Sequence, residues 1–110
     1  MMKGFGEDAG KSRLKAHRKE EFTSLEAAVN TQKSGDHKKA EKMYLEIISK
    51  GHAIDAVYSN LGVIYKNTGR EKMAIKMYKK ALKINPLFTG ALCNLGNLLM
   101  KSNEIEEALK

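Results

Sequence analysis

The sequence lacks the features that mark a secreted, disulfide-stabilised or membrane-spanning protein. Its 110 residues include a single cysteine, Cys93, so no disulfide can form within the chain, and a lone thiol suits a reducing cytosol. The opening MMKGFGEDAG lacks the apolar run of a secretory signal. The longest apolar stretches, such as LGVIY, are far too short to cross a bilayer. We therefore expect a cytoplasmic protein without a membrane span.

Tryptophan is absent, there is one proline, and aromatic residues make up 6% of the chain. Acidic residues are also few, because 13 Asp and Glu face 20 Lys and Arg, which gives a net charge of +7. Such a charge permits an acidic partner, nucleic acid included, but does not demand one. The remaining composition is that of a globular protein, and the length fits one domain with a modest core.

What the sequence does contain is an internal repeat. The tripeptide NLG stands at residues 60–62 and returns 34 residues later, at 94–96. Small residues, turn residues and tyrosines recur at the same spacing. The matching columns are Ala28/Gly62/Gly96, Gly35/Gly69/Asn103, Ala40/Ala74/Ala108 and Tyr44/Tyr78. A fixed period of this length indicates repeated supersecondary units.

The period divides the chain into three units, at 21–54, 55–88 and 89–110, after a tail at 1–20. The tail segment KSRLKAHRKE carries five Lys and Arg residues against one Glu. This composition predicts a disordered basic tail. It favours solubility over a specific contact with nucleic acid, anionic lipid or an acidic protein.

The middle unit predicts two helices. Asp55 is the expected N-cap of a helix over 56–68, and Gly69 supplies the left-handed residue that ends it. A second helix over 71–84 stops at Asn85-Pro86, because proline cannot continue a helix. The apolar face of the second helix consists of Met73, Ala74, Met77, Tyr78, Ala81 and Leu82.

Small residues explain how such helices would pack. Gly62 and Ala74 let two antiparallel helices approach closely, and Tyr65 and Tyr78 fill the adjacent space. One pair cannot cover its own apolar face, so neighbouring pairs must stack. In the third unit Asn103 replaces the turn glycine. Because asparagine is the common substitute for glycine in the left-handed region, we expect a turn there too.

The repeated pattern resembles the tetratricopeptide repeat (TPR) family. The middle unit matches closely, through Tyr58, Leu61, Gly62, Tyr65, Gly69, Ala74, Tyr78, Ala81 and Pro86. The third unit matches through Leu95, Gly96, Asn103 and Ala108 until the chain ends. The first unit is divergent, with Ala28, Thr31 and His52 at positions where the family usually has Gly, Tyr and Pro.

This resemblance covers residues 21–110 and implies an all-α fold. The expected architecture is a right-handed solenoid of helical hairpins with an incomplete third repeat. The first helix of each hairpin would line a concave groove, which in this family usually holds a peptide or another protein. The function expected from the resemblance is therefore non-catalytic protein binding.

Asn60 and Asn94 are the first groove candidates, since they recur at the repeat period on the first helices. An asparagine side chain offers a donor and an acceptor and can clamp a peptide backbone. The arrangement resembles the asparagine ladder of TPR superhelices attached to sugar transferases, although Glu26 interrupts it in unit one. The alternative is a polar surface residue fixed by the repeat pattern.

Other candidates for the groove do not belong to this asparagine ladder. They are Val63, Lys66, Asn67, Asn97 and Lys101, for which a solvated helix edge is the alternative. Phe22, Leu25 and Val29 either form an apolar end of the groove or, as we favour, belong to the core. The TPR subtype that grips a carboxyl terminus needs basic residues and asparagine where Leu25 and Val29 stand, which argues against that subtype.

One face of the second helix in unit two is strongly basic. Lys72, Lys76, Lys79, Lys80 and Lys83 compose it, opposite the apolar face. It could meet phosphates, but no aromatic residues interleave with these lysines, so a solvated outer face is favoured and nucleic-acid binding is not.

No enzymatic, metal or cofactor site is expected. His17, His37, His52 and Cys93 lack metal-ligand spacing. The segment GFGEDAGKS has the wrong spacing for a phosphate-binding loop and no preceding strand.

The third unit stops at Lys110 and leaves apolar residues that need a cover. These are Leu92, Leu95, Leu98, Leu99 and Met100. Natural arrays end in a polar capping helix, so the chain is expected to be a fragment of a longer protein, a homo-oligomer through this repeat, or a marginal small module, with the first favoured. The alternatives to a protein-binding module are a docking or regulatory segment of a larger TPR-containing transferase, such as a glycosyltransferase, and a basic nucleic-acid-associated protein.

Overall fold

The computed structural model describes residues 19–52 and 54–109, and within these ranges the chain forms five helices and no strand. Helix α1 occupies 19–33 of the described residues. The others are α2 (His37–Ser49), α3 (Asp55–Asn67), α4 (Glu71–Ile84) and α5 (Thr89–Ala108). From α2 onward, each helix packs on the next. The all-α architecture of stacked hairpins is therefore confirmed.

Glycines in the left-handed region separate the helices of the first two units. Gly35 has φ +93° and lies between α1 and α2, and Gly69 has φ +79° and lies between α3 and α4. Gly51, with φ +88°, follows α2 in the same way. A side chain would be strained at these angles, so glycine is the residue that makes each tight turn possible.

Most predicted helix boundaries in the middle unit agree with the structure. Helix α4 occupies the predicted residues, and α3 is displaced by one. The prediction of Asp55 as N-cap is wrong, because Ile54 holds that position and α3 begins at Asp55 itself. The Asp55 carboxylate instead accepts from the Ala56 amide at 2.8 Å and from the Asn85 side chain at 3.0 Å. This carboxylate joins the start of α3 to the end of α4.

Residues 1–18 of the predicted tail lie outside the described residues. Lys19 and Glu20, which the prediction also placed in the tail, are helical and belong to α1. Glu20 lies 3.6 Å from the Lys50 amine, across from the end of α2. Helix α1 therefore includes residues before 21.

The core confirms the small-residue pattern in the first two units. Ala28, Ala40 and Ala74 are fully buried, and Gly62 is buried against the Tyr78 ring. A Cβ built at Gly62 would lie 2.5 Å from the Cε1 atom of Tyr78, closer than real Cβ contacts come. A glycine is required there because the tyrosine occupies the space of any side chain.

Three further predictions about side-chain packing are wrong. Met73, placed on the apolar face of α4, is exposed. Gly96 has no neighbouring atom within 4 Å of a built Cβ, and Ala108 is exposed, so neither nests against another helix. The repeat columns therefore keep their packing role in two units and lose it in the third.

The turn predicted at Asn103 is also wrong. Helix α5 runs for 20 residues without a break, and among the described residues no position other than glycine has positive φ. The left-handed conformation costs a residue with a side chain about 1 kcal/mol or more. Continuing α5 as one helix through Asn103 therefore costs less free energy than forming a left-handed turn there.

Candidate protein-binding groove

Asn60 is half-buried on α3 and faces the Tyr44 hydroxyl of the preceding unit. Burial raises the pKa of Tyr44, and the hydrogen-bonding side chain of Asn60 opposes that rise. The same hydroxyl donates to the Gln32 side-chain oxygen at 2.6 Å. Asn60 thus belongs to a polar contact that joins α1, α2 and α3.

Asn94 repeats this contact one unit later. Burial raises the pKa of Tyr78 to about 12, and the Asn94 side chain is the hydrogen-bonding group that opposes it. The buried Tyr78 hydroxyl has no hydrogen bond of standard geometry among the described residues, whereas the Tyr44 hydroxyl donates to Gln32. In both units the asparagine side chain lies near the hydroxyl of the tyrosine on the preceding second helix.

The sequence predictions missed this pairing, although the sequence carries a signal for it. Tyr44 and Tyr78 recur with the same period as Asn60 and Asn94, so each asparagine follows its tyrosine at a constant distance in the chain. Because the tyrosine column and the asparagine column recur with the same period, a contact between their residues could have been expected. Each amide keeps further hydrogen-bonding capacity, but replacing it would also disturb packing between units.

The remaining groove candidates differ in their exposure and in their contacts with other side chains. Val63 and Lys66 are half-buried, and Asn97 and Glu26 are exposed. Lys101 is engaged, since its amine lies 2.7 Å from the Glu71 carboxylate at the start of α4. An exposed pair of this kind adds little stability, but it directs the lysine toward the preceding helix.

The apolar candidates on α1 divide into two groups. Leu25 and Val29 are partly buried and pack against the core. Phe22 is 67% exposed and, with Glu21, Leu25 and Ile54, lines a shallow depression of about 250 Å³. The preference for a core role fits Leu25 and Val29 and does not fit Phe22.

Two side-chain contacts, one between the first two units and one within the first unit, were not foreseen from the sequence. Arg70, directly after the Gly69 turn, lies 2.6 Å from the Glu41 carboxylate of α2 and stacks 4.5 Å from the centre of the Tyr65 ring. His52, which replaces the family's usual proline, is buried and lies 3.7 Å from the Glu21 carboxylate. The first contact joins the α3–α4 turn to α2, and the second joins the segment after α2 to α1.

The five lysines of the basic face are all exposed on α4. The Lys80 amine lies 5.7 Å from the centre of the Tyr58 ring on α3, and the other four extend the face along the helix. Cys93 is exposed on α5. In the described part of the chain, no group of three His, Cys, Asp or Glu side chains could hold a metal ion, and His17 lies outside it.

Comparison with known families decides the relationship. Two family models described as tetratricopeptide repeat match the chain, one over residues 56–88 and the other over 77–110. The chain belongs to the tetratricopeptide repeat family. The two TPR matches cover the second and third units, and the first unit, which departs most from the family pattern, lies outside both.

Curated relatives extend the similarity across the first unit. The chain is 30% identical over 97 residues to Photosystem I assembly protein Ycf3 of Synechococcus sp. (strain CC9311), a match that covers 86% of this chain and 56% of that protein. Ycf3 of Acaryochloris marina (strain MBIC 11017) is 31% identical over 94 residues, covering 82% and 57%. The Uncharacterized protein ycf37 of Pyropia yezoensis is 33% identical over 64 residues, covering 58% and 36%.

The TPR chain therefore spans about half the length of the Ycf3 proteins that it matches. Its family and its similarity to assembly proteins support a role in protein interaction. Within the described residues, none of the helices is long and apolar enough to cross a membrane.

Proposed function

We propose that this TPR chain is a non-catalytic module that binds a segment of another protein along the shared face of α1, α3 and α5. One observation supports the proposal most. Val29, Val63 and Asn97 occupy the same column of the 34-residue period on the first helices; Asn97 is exposed, and Val29 and Val63 pack partly against the core but keep some exposed surface. Unlike the Asn60 column, they take no part in the hydrogen bonds and ion pairs described between units.

The character of this face changes along the array. Its first-unit end is apolar, with exposed Phe22 beside Leu25, and its middle combines Val63 with Lys66. Its third-unit end is polar at Asn97. A matching ligand is an extended or helical segment with a large apolar residue at one end and polar or acidic groups farther along, since such groups complement Lys66.

The similarity to proteins named for photosystem assembly suggests the class of partner. We propose that the bound segment belongs to a subunit of a larger protein complex and that binding occurs in the cytoplasm, before the complex is complete. Because the chain matches only about half of each Ycf3 protein, photosystem I itself is not assumed.

Site-specific photo-crosslinking in cells tests the groove. A crosslinking amino acid at Val63 or at Asn97 should capture the same partner, because both positions lie in one column of the array. The same probe at Lys76, on the exposed face of α4, is the matched control and should not capture it. A partner captured equally from Lys76, or by neither groove position, contradicts the proposal.

A substitution in the same column adds a second test. Val63→Glu places a charge in the middle of the face and should lower recovery of the crosslinked partner at Asn97 by roughly tenfold, since a buried unpaired charge in an interface costs at least 1–2 kcal/mol. Lys76→Glu is the control. Circular dichroism should show equal helix content in both variants.

A further inference from the structure

The basic face of α4 is not neutralised by acidic side chains. Its lysines are all exposed on a helix of 14 residues, which is about 20 Å long. The one acidic residue of this helix, Glu71, has its carboxylate 2.7 Å from the Lys101 amine of α5. No ion pair among the described residues involves a lysine of the basic face. Its positive charge is therefore available to a negatively charged partner.

The basic face occupies surface columns of the repeat, which a neighbouring unit does not cover. Shifting by one period places its lysines on exposed residues of α2, which are Lys38, Lys42, Leu45, Glu46 and Ser49. A complete hairpin, α3 and α4, follows α2 and leaves these positions open. Three of the columns carry lysine on α4 but not on α2, so the concentration of charge belongs to this unit and not to the repeat pattern.

Two apolar side chains border the basic face. Met73, near the start of α4, is 44% exposed, and Ile84, at its end, is 45% exposed. Their separation in the sequence is close to a whole number of helical turns, so both lie along the same edge of the face. The equivalent positions on α2, Lys39 and Lys50, are also exposed. Lysines beside exposed apolar side chains are typical of helices that lie on the surface of a membrane.

We propose that the basic face of α4 docks on an anionic lipid surface, with Met73 and Ile84 entering the headgroup layer. All of its charges are lysines, and a lysine amine is a point charge without the fork by which arginine selects a fixed carboxylate or phosphate. Lipid headgroups are mobile and can move toward such charges, while the apolar stems of the lysines lie along the interface. A cluster of this size attracts an anionic membrane strongly enough for reversible binding.

A lipid surface fits the basic face better than a nucleic acid does. A nucleic acid offers negative charge but no apolar layer for Met73 and Ile84, and the lysines of α4 are not interleaved with exposed aromatic side chains on which bases could stack. The docking is also independent of the proposed groove, because the groove candidates lie on α1, α3 and α5 and the basic face lies on α4.

Co-sedimentation of the full chain with lipid vesicles tests the docking. The wild type should bind vesicles of equal parts phosphatidylcholine and phosphatidylglycerol, release them as salt rises, and ignore vesicles of phosphatidylcholine alone. Lys76→Gln/Lys79→Gln/Lys83→Gln should weaken binding by roughly hundredfold, since each lysine near an anionic surface contributes about fivefold. A wild type that does not bind the anionic vesicles, or binds both kinds equally, overturns the proposal.

The sequence offers a control with the same loss of charge. Lys11→Gln/Arg13→Gln/Lys15→Gln removes three positive charges from the segment KSRLKAHRKE and leaves the same net charge as the α4 variant. It should weaken vesicle binding by less than about tenfold. Circular dichroism should show equal helix content in both variants. An equal or larger loss in this control would assign the binding to that segment and exclude α4.

Removing the apolar border separates a lipid surface from other negatively charged partners. Met73→Ser/Ile84→Ser leaves the charge unchanged and should weaken vesicle binding by roughly tenfold, because less apolar surface enters the headgroup layer. Binding to a generic DNA duplex should be equal for this variant and the wild type. If vesicle binding is unchanged, or if polyglutamate or the duplex displaces the wild type from vesicles at an equal concentration of negative charge, the face recognises charge alone and the proposal is wrong.

Discussion

Helix α3 and helix α5 carry the same Asn-Leu-Gly tripeptide, but the tripeptide has different surroundings in the two helices. Gly62 of α3 meets the ring of Tyr78, whereas Gly96 of α5 has nothing within 4 Å of a built Cβ. Gly69 turns the chain after α3, and Asn103 leaves α5 continuous. The comparison shows that a small residue determines how two helices pack only where a second helix lies against it.

The largest expected effect concerns the tyrosine that fills the α3–α4 hairpin. Tyr78→Ala should lower the free energy of unfolding by about 3–5 kcal/mol, because it removes a fully buried aromatic side chain and leaves a cavity beside Gly62. In a domain this small, such a loss approaches the whole stability. Urea unfolding followed by circular dichroism measures it.

Met73→Ala is the control for that cavity, since Met73 lies on the same helix and is exposed. It should change the free energy of unfolding by no more than about 0.5 kcal/mol. Similar losses for the two variants would mean that α4 does not pack on α3 through Tyr78.

Alanine substitutions at the two equivalent glycines should change the free energy of unfolding in opposite directions. Gly62→Ala should destabilise the protein by about 1–3 kcal/mol, because the new methyl group collides with a buried ring that cannot move freely. Gly96→Ala should stabilise it by about 0.5–1 kcal/mol, because alanine favours a helix and the site has room. Thermal and urea unfolding of both variants decide between these signs. Destabilisation by Gly96→Ala would show that a second helix does cover α5.

Alkaline pH should weaken the same hairpin. The pKa of Tyr78 is raised by burial to about 12 in the folded protein, above its ordinary value of 10.0. Below pH 10 both folded and unfolded chains keep the proton, so stability is unaffected. Between pH 10 and 12 the unfolded chain loses it first, and stability falls as pH rises.

Urea unfolding at pH 9, 10 and 11 measures this fall. Tyr78→Phe removes the titrating hydroxyl, which lacks a standard hydrogen bond among the described residues, and should therefore lose less stability between pH 9 and 11 than the wild type. Equal slopes for the two proteins would exclude a contribution from Tyr78.

The hairpins could be predicted from the sequence because their causes are local or periodic. Gly35 and Gly69 mark turns that need positive φ, and the small and large residues of α3 and α4 recur at one fixed spacing. The third unit could not be predicted in this way. Asn103 satisfies the pattern of a turn, but asparagine also fits within a helix, and α5 continues through it in the structure.

The candidate site was only partly predictable for a related reason. A column of asparagines indicates a shared role without indicating the partner, and the partners of Asn60 and Asn94 are tyrosines on neighbouring helices. Arg70 and His52 gave no periodic signal, since their contacts with Glu41 and Glu21 occur once each among the described residues.

The smallest expected effect tests why α5 does not turn. Asn103→Ala should stabilise the protein by about 0.5 kcal/mol, because alanine is the better helix former and Asn103 lies within an unbroken helix. The same substitution at Gly69 should instead destabilise it by about 1–2 kcal/mol, since φ there is +79°. Urea unfolding measures both changes. If Asn103→Ala destabilised the protein as Gly69→Ala does, residue 103 would occupy a left-handed turn, and the third unit would fold back like the other two.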